Sequence, residues 1–355
     1  MRLSYNSIDP IGNALAQSEI ADLKKLTEFL EDGYNGNLIV IDCIASQELA
    51  NCYTPSGWPR GIHVVATNKK AGSGPDELYD QAKQAALSSQ TQWLYGETTS
   101  PGSGLPLLAT LKDPVLDVVK TVSGRFSGSA LFIFSQLRQG VPLSEALVAA
   151  CGKGLCEPDP RDDLNDVDNA RSLVVLGRDL GLELELSDVE CDSLLPAELK
   201  DWSPSGDKPI VEQLCKAHEP YDDSTAERVT AMLADDVVPV QLSMVNLTTG
   251  KVSPSPSPDP NSSPNQNPNP NPNPNPNQAS VKAWATVPKD DPVPRIALCR
   301  GGEFIVEISS RRYDDIPMVL QGPGAGLKIT AAGVFADLLR LLRSLVSFNV
   351  PVKMD

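Results

Sequence analysis

The chain has 355 residues, 41% hydrophobic and 5% aromatic, with 30 Lys+Arg against 46 Asp+Glu and a formal net charge of −16. That length accommodates two domains with true cores, while an acidic balance without clustered basic residues speaks against nucleic acid and anionic membranes as partners. No apolar run reaches membrane-spanning length, and the N-terminal "MRLSYNSIDP" lacks a signal-peptide apolar core, so the chain has no readable targeting signal. Its seven cysteines are dispersed and include no C-x-x-C pair, which predicts reduced thiols in a cytoplasmic or plastid-stromal setting and no disulfide framework. The two histidines, His63 and His218, are too far apart in sequence to suggest a histidine metal site.

In chain order, "LKKLTEFLED" (23–32) has helical apolar spacing and stops near Gly33. "NLIVIDC" (37–43) and "GIHVVAT" (61–67) are nearly continuous apolar runs, the pattern of strands buried on both faces. A helix over 75–87 and an extended "QWLYGE" (92–97) follow, an alternation that predicts a parallel, doubly wound sheet. Residues 102–137 hold a helix, a strand near 118–126 and a Gly/Ser turn into another helix.

"GLCEPDPRDDLNDVDNARSL" (154–173) sets six acidic side chains against two arginines and two prolines, then becomes a helix with Leu173, Leu176 and Leu180 on its apolar side. Two helices are expected over 209–235. Alternating strands at 238–247, 281–287 and 302–309 predict an antiparallel sheet, and a final helix spans 330–346. Between the first two of those strands lies an Asn/Pro insertion, 253–278, with ten prolines. So many residues without an N–H exclude helix and sheet ladder, which reads as a solvated extension at a hairpin tip; a partner-binding repeat is the other reading.

Six stretches, "VIDCIASQ" (40–47), "HVVATNKKA" (63–71), "ETTSPGSGLPLL" (97–108), "GRFSGSALFIFSQL" (124–137), the acidic segment, and "QGPGAGLKITAAGVFADLLR" (321–340), together resemble the homoserine dehydrogenase family. The resemblance implies an NAD- or NADP-dependent enzyme that interconverts L-aspartate 4-semialdehyde and L-homoserine in threonine, methionine and isoleucine biosynthesis. It implies an α/β fold: a truncated Rossmann-type nucleotide-binding domain (1–96), an α+β catalytic and dimerisation domain with a mixed or antiparallel sheet (97–318), and a C-terminal segment (319–355) returning to the first. A homodimer is implied as well.

The chemistry suits the acidic segment. An amino acid's ammonium calls for anionic partners on a rigid frame, and charge-assisted hydrogen bonds to carboxylates supply them. By resemblance Glu157 and Asp168 hold the substrate, with Asp162 nearby, and Arg161 and Arg171 neutralise neighbouring acids. Hydride delivery to an aldehyde leaves a developing alkoxide that a cation must stabilise or protonate. The resemblance gives that vicinity to Lys69, while Lys70 is expected in solvent. Ala45, Ser46, Lys69, Gly154 and Gly326 are implied as cofactor contacts. Glu97, Ser103 and Leu105 are implied as ligands of a monovalent cation such as sodium, though the same glycine-rich turn could simply open a helix.

The sequence departs from the family at three places. Ser172 stands where the family has its proton-donor lysine, Leu155 stands at a usual tyrosine, and the turn at 97–106 is one residue longer. No G-x-G-x-x-G precedes Asp42, so the pyrophosphate turn expected of a dinucleotide fold is missing and the nucleotide domain reads as beginning after its first strand and helix. Two alternatives therefore stand beside the enzyme: a non-catalytic binding protein that keeps the amino-acid pocket, and a fragment of a fusion with aspartate kinase.

Overall fold

The computed structural model describes residues 22–32, 38–54, 61–95, 104–157, 159–191, 193–205, 208–234, 237–247, 279–288, 303–323 and 327–345. The Asn/Pro insertion, Glu97, Ser103, Gly326 and the N-terminal stretch without the glycine fingerprint lie outside them.

The two apolar runs form β1 (Leu38–Asp42) and β2 (Ile62–Ala66), which pair in parallel with Leu38 opposite Ile62. β3 (Trp93–Leu94) joins β2 in parallel, giving the order β1-β2-β3. Every residue of β2 is buried, as a strand covered on both faces requires. Helices α1 (Leu23–Asp32), α2 (Gln47–Asn51), α3 (Lys69–Ser73) and α4 (Asp76–Ser88) accompany this sheet, and Leu30, Leu49, Val64 and Ala82 are among its core residues.

After α5 (Leu107–Leu111), β4 (Val119–Arg125) leads through the Ser127 cap into α6 (Gly128–Leu137) and α7 (Leu143–Gly152). The acidic segment folds as α8 (Arg161–Leu164) and α9 (Val167–Asp179). Then come β5 (Val189–Cys191), α10 (Ile210–His218), α11 (Asp222–Ala234), β6 (Val237–Asn246), β7 (Ala279–Pro288), β8 (Glu303–Ser310), β9 (Met318–Pro323) and α12 (Leu327–Leu345). The second sheet has the order β5-β7-β6-β4-β8-β9 and is antiparallel except for β5 on β7. The fold is thus α/β with a mixed second sheet. Val245 on β6 faces Ala279 on β7, so the strands flanking the insertion pair as an antiparallel hairpin.

Some elements differ from the sequence reading. Gly322 and Pro323, read as part of a glycine turn, belong to β9, where Gly322 faces Phe304; proline is tolerated because β9 is an edge strand. β5 is three residues long, too short for an alternation to show. Helix α9 is buried on nearly every side, beyond the expected leucine stripe, because it lies between the second sheet and α3. Cys151 and Cys156, expected as free thiols, form a disulfide with Cα atoms 4.9 Å apart, since the turn after α7 brings the last turn of the helix back beside the acidic loop.

The α3–α9 contact positions the site. A Cβ on Gly72 would come within 2.9 Å of the Val175 side chain, so glycine permits the close approach. Beside it Arg178, 3% exposed, donates from Nη1 to the Gly72 carbonyl at 2.9 Å and from Nε and Nη2 to the Leu184 carbonyl at 2.9 and 2.6 Å. Its guanidinium also lies over the Tyr79 ring of α4, 5.0 Å from the centroid. At the other end of the chain, α12 packs on β2, and Gln92 Nε2 donates to Ser344 Oγ at 2.7 Å. Arg178→Met keeps the aliphatic stem but leaves two buried carbonyls without donors. Urea unfolding should show a loss of about 2–4 kcal/mol; a change under about 0.5 kcal/mol would contradict the clamp.

Candidate active site

The site begins where β1 and β2 end. Asn68 caps α3 by accepting the Lys70 amide at 3.0 Å, and its Nδ2 donates to Asp42 Oδ2 at 3.0 Å and to the Ser46 carbonyl at 2.8 Å. Asp42, 2% exposed, also receives the Tyr53 hydroxyl and the Ile44 amide. This buried amide and carboxylate tie together the loops at the strand ends, where open α/β sheets take ligands. Ala45 lies exposed on that crest, while Ser46 uses its hydroxyl to cap α2 through the Leu49 amide at 3.2 Å.

Lys69, the first residue of α3, is carried from the crest onto α9. Its Nζ donates to both oxygens of Asp168, at 2.7 and 2.9 Å, with the two side chains 24% and 15% exposed. Asp168 reaches that position because Asp166 adopts a left-handed conformation (φ 59°) between α8 and α9, a geometry aspartate tolerates better than most residues. Glu157 arrives from the loop before α8, its main-chain amide donating to Asp163 Oδ2 at 2.8 Å. Asp163, 6% exposed, takes the Ser129 hydroxyl from α6 on its other oxygen at 2.5 Å.

The electrostatics follow from burial and crowding. Burial raises the Glu157 carboxyl above its usual range and neighbouring Asp168 raises it further, outweighing Lys69. Burial likewise pushes Asp163 up to about 7, against the Ser129 hydrogen bond, with Asp168 adding to the rise. For Asp168 burial also acts upward, but Lys69 outweighs it and holds the group below the carboxylate range. Burial works against the charge on Lys69, yet Asp168, Glu157 and Asp163 more than compensate and raise its pKa.

The outer acids are paired. Asp162 takes Arg171 Nη1 at 2.8 Å, and Arg161 grips Asp159 while its Nη1 donates to the Trp202 carbonyl at 2.7 Å. Ser172, 1% exposed, bonds back to the Asp168 carbonyl at 3.3 Å. Lys70, expected in solvent, lines a cleft of about 570 Å³ with Gln47, Ser73, Arg171 and Glu185. A hollow of about 60 Å³ beneath Trp93 contains none of these residues.

The structure therefore brings Lys69, Glu157 and Asp168 together and adds Asp163, which sequence reasoning did not single out. Two adjacent aspartates on a helix point about 100° apart, so only one of the Asp162–Asp163 pair could turn inward; nothing in the local pattern indicated which. Gly154 is exposed at φ 70°, with its amide on the Cys151 carbonyl at 2.9 Å. The Leu105 carbonyl accepts the Leu107 amide at 2.8 Å, and its side chain packs on Gly322.

A parallel sheet that delivers a lysine from its strand ends onto buried carboxylates makes this an α/β protein with a polar site where such sheets take ligands. Comparison with known proteins makes this specific. The family profile "Homoserine dehydrogenase" matches residues 106–339, and "Homoserine dehydrogenase, NAD binding domain" matches 10–96. The chain is 32% identical over 329 residues to a chloroplastic bifunctional aspartokinase/homoserine dehydrogenase of Zea mays, covering 92% of this chain and 31% of that one. It is 33% identical over 326 residues to a bifunctional aspartokinase/homoserine dehydrogenase of Haemophilus influenzae, covering 91% and 35%. It thus spans about a third of the length of these relatives. Among solved structures, a Candida auris protein of unknown function superimposes with a TM-score of 0.69 at 26% identity, covering 92% of this chain and 82% of that one. A Thiobacillus denitrificans homoserine dehydrogenase shares the fold at a TM-score of 0.57 and 18% identity, over 88% and 58% of the two chains. The chain belongs to the homoserine dehydrogenase family, a family of oxidoreductases, and its NAD-binding region implies a nicotinamide cofactor.

The raised Asp163 gives a sign for stability. Between about pH 4 and 7 the folded protein retains a proton that the unfolded chain releases, so this group makes stability fall as pH rises through that window. Asp163→Asn cannot ionise. Denaturation midpoints at pH 5 and pH 7.5 should therefore lie closer together in the variant than in the wild type, and an unchanged gap would contradict the assignment.

Proposed function

We propose that this chain catalyses the homoserine dehydrogenase reaction, NAD- or NADP-dependent interconversion of L-aspartate 4-semialdehyde and L-homoserine, with Lys69 at the reacting oxygen and Glu157 and Asp168 framing the amino acid. The observation that supports this reading is a charge imbalance: Glu157, Asp163 and Asp168 crowd Lys69, with Arg171 nearby but paired to Asp162, and two of the three are pushed toward their protonated forms. A substrate ammonium supplies the missing cation, forming a charge-assisted hydrogen bond to Glu157 and drawing its carboxyl back to the ionised form. Asp163 acts as a positioning residue, holding the Glu157 main chain, and Asp162 acts through Arg171.

Asp168 commits both oxygens to Lys69, so its part is to aim and charge the ammonium as much as to touch substrate. Lys69 Nζ then stabilises the oxyanion that develops from the aldehyde and holds the proton that converts it to the alcohol. Ser172 brings no cation, which leaves Lys69 as the ammonium on Asp168. The nicotinamide group supplies the hydride when bound. Ala45, Ser46 and Lys69 at the strand-end crest would hold the nicotinamide group, with Gly154 and Gly326 as further proposed contacts. No pyrophosphate cradle lies on the described residues at that crest, where α2 and α3 are each five residues long.

The Leu105 carbonyl, with Glu97 and Ser103, is the proposed site of a monovalent cation such as sodium. A homodimer through the second sheet is also proposed, supported by the exposed edge strand β9 and by the apolar Val118 and Ile316, 57% and 78% exposed. The domain division at about 96 and 318 belongs to the same reading, as does a stromal or cytoplasmic setting. The binding-protein alternative explains the geometry no better, since it leaves the Lys69–Asp168 pair without a task.

The test is homoserine-dependent reduction of NAD or NADP by the purified chain. Lys69→Met should lower kcat by about 10²- to 10⁴-fold with little change in KM. Glu157→Gln should raise the homoserine KM about tenfold or more while leaving the cofactor KM unchanged. A Lys69→Met enzyme retaining most of its kcat would contradict the lysine's role.

A further inference from the structure

The Cys151–Cys156 disulfide joins the last turn of α7 to the residue before Glu157. One end is fixed, because α7 is anchored by the buried Leu143, Ala146, Leu147 and Ala150. The other end leads at once to the amide that bonds Asp163. The turn between the two cysteines, five positions apart, is closed by the Gly154 amide on the Cys151 carbonyl at 2.9 Å and the Leu155 amide on the Ala150 carbonyl at 3.2 Å, with Gly154 in a left-handed conformation. Both cysteines are only partly buried, within reach of a thiol reagent. Cys43, Cys52 and Cys215 are free thiols, and Cys151–Cys156 is the one disulfide formed between described residues. A single short-range disulfide is not a structural framework, and one that keeps part of its surface in solvent is open to reduction.

We propose that Cys151 and Cys156 are a reversible thiol–disulfide modification site that sets the affinity of the acidic loop for its amino-acid substrate. Closed, the bridge holds Glu157 in the position its partners require before substrate arrives. Reduced, the 152–156 turn gains freedom that binding must remove, which weakens the grip on the ammonium without touching Lys69. The oxidant is a small-molecule disulfide. As the Cys151 Sγ–Cys156 Sγ bond forms, the two thiols lose two electrons and two protons, and the reagent disulfide takes them up as two thiols. A dithiol reverses the step. The substrate assignment rests on the function proposed above.

The test treats the full chain with oxidised glutathione or with dithiothreitol, alkylates the free thiols and maps them by peptide mass spectrometry. Oxidised glutathione should join Cys151 to Cys156, and dithiothreitol should free both; thiols that stay free under both treatments overturn the proposal. The homoserine KM should rise about tenfold on reduction, the factor for ordering about one residue, while kcat changes less than about twofold. Cys151→Ser and Cys156→Ser should each show the reduced value under both treatments, while Cys191→Ser should respond like the wild type. A KM indifferent to treatment, or serine variants still sensitive to it, overturns the proposal. If the chain turns over no homoserine at all, it is the functional reading that fails. Hydrogen exchange then decides the switch independently: amides 152–157 should exchange about tenfold faster when reduced, and equal rates overturn it.

Discussion

The ion pair between Lys69 and Asp168 joins residues 99 positions apart and two different sheets, and the rest of the site is arranged around it. Lys69 opens the helix that follows the central strand of the parallel sheet, whereas Asp168 lies in the first turn of α9, which is packed between the second sheet and that same helix. Removing one partner of such a poorly solvated pair would strand the other charge, at a cost of about 3–5 kcal/mol for a fully buried case. The pair therefore demands that α3 and α9 stay in register. Gly72 against Val175, and Arg178 reaching from α9 to the Gly72 and Leu184 carbonyls, satisfy that demand further along the two helices.

Around this pair the site is negatively over-furnished. Arg171 and Arg161 ion-pair with the outer acids, Asp162 and Asp159, while Glu157, Asp163 and Asp168 share the nearby charges of Lys69 and Arg171, which do not offset burial and crowding at Glu157 and Asp163. Serine at 172 deepens the imbalance, because it contributes only a back-bond to a carbonyl. Crowded carboxylates held partly toward their protonated forms are a pattern expected of binding sites more than of cores. The Cys151–Cys156 disulfide places a covalent restraint on the loop that carries Glu157.

Much of this was legible in the sequence. The continuous apolar runs at 37–43 and 61–67 both became parallel strands, but burial on both faces holds only for β2; β1 is half-buried and leaves Ile41 46% exposed. Glu157 and Asp168 stood out through the family resemblance of the acidic segment, and Lys69 through that resemblance together with its place just past a strand end. What was not legible depended on rotation or on distant contacts. Asp163 rather than Asp162 turns inward because of where α8 meets Ser129 on α6. The sheet role of Gly322 and Pro323 depends on β8 beside them, since a Gly-Pro dipeptide by itself signals a turn. The cysteine pairing depended on the turn after α7, which the spacing alone did not reveal.

The central claim is that Lys69 and Asp168 act as one unit, and a double-mutant cycle on kcat/KM for homoserine tests it most directly. If the aspartate serves chiefly to aim and charge the lysine, Lys69→Met, Asp168→Asn and the double variant should lose activity to nearly the same extent, as residues of one catalytic unit do. Losses that multiply, with the double variant as impaired as the product of the two single variants, would show that the groups work independently and would contradict the account.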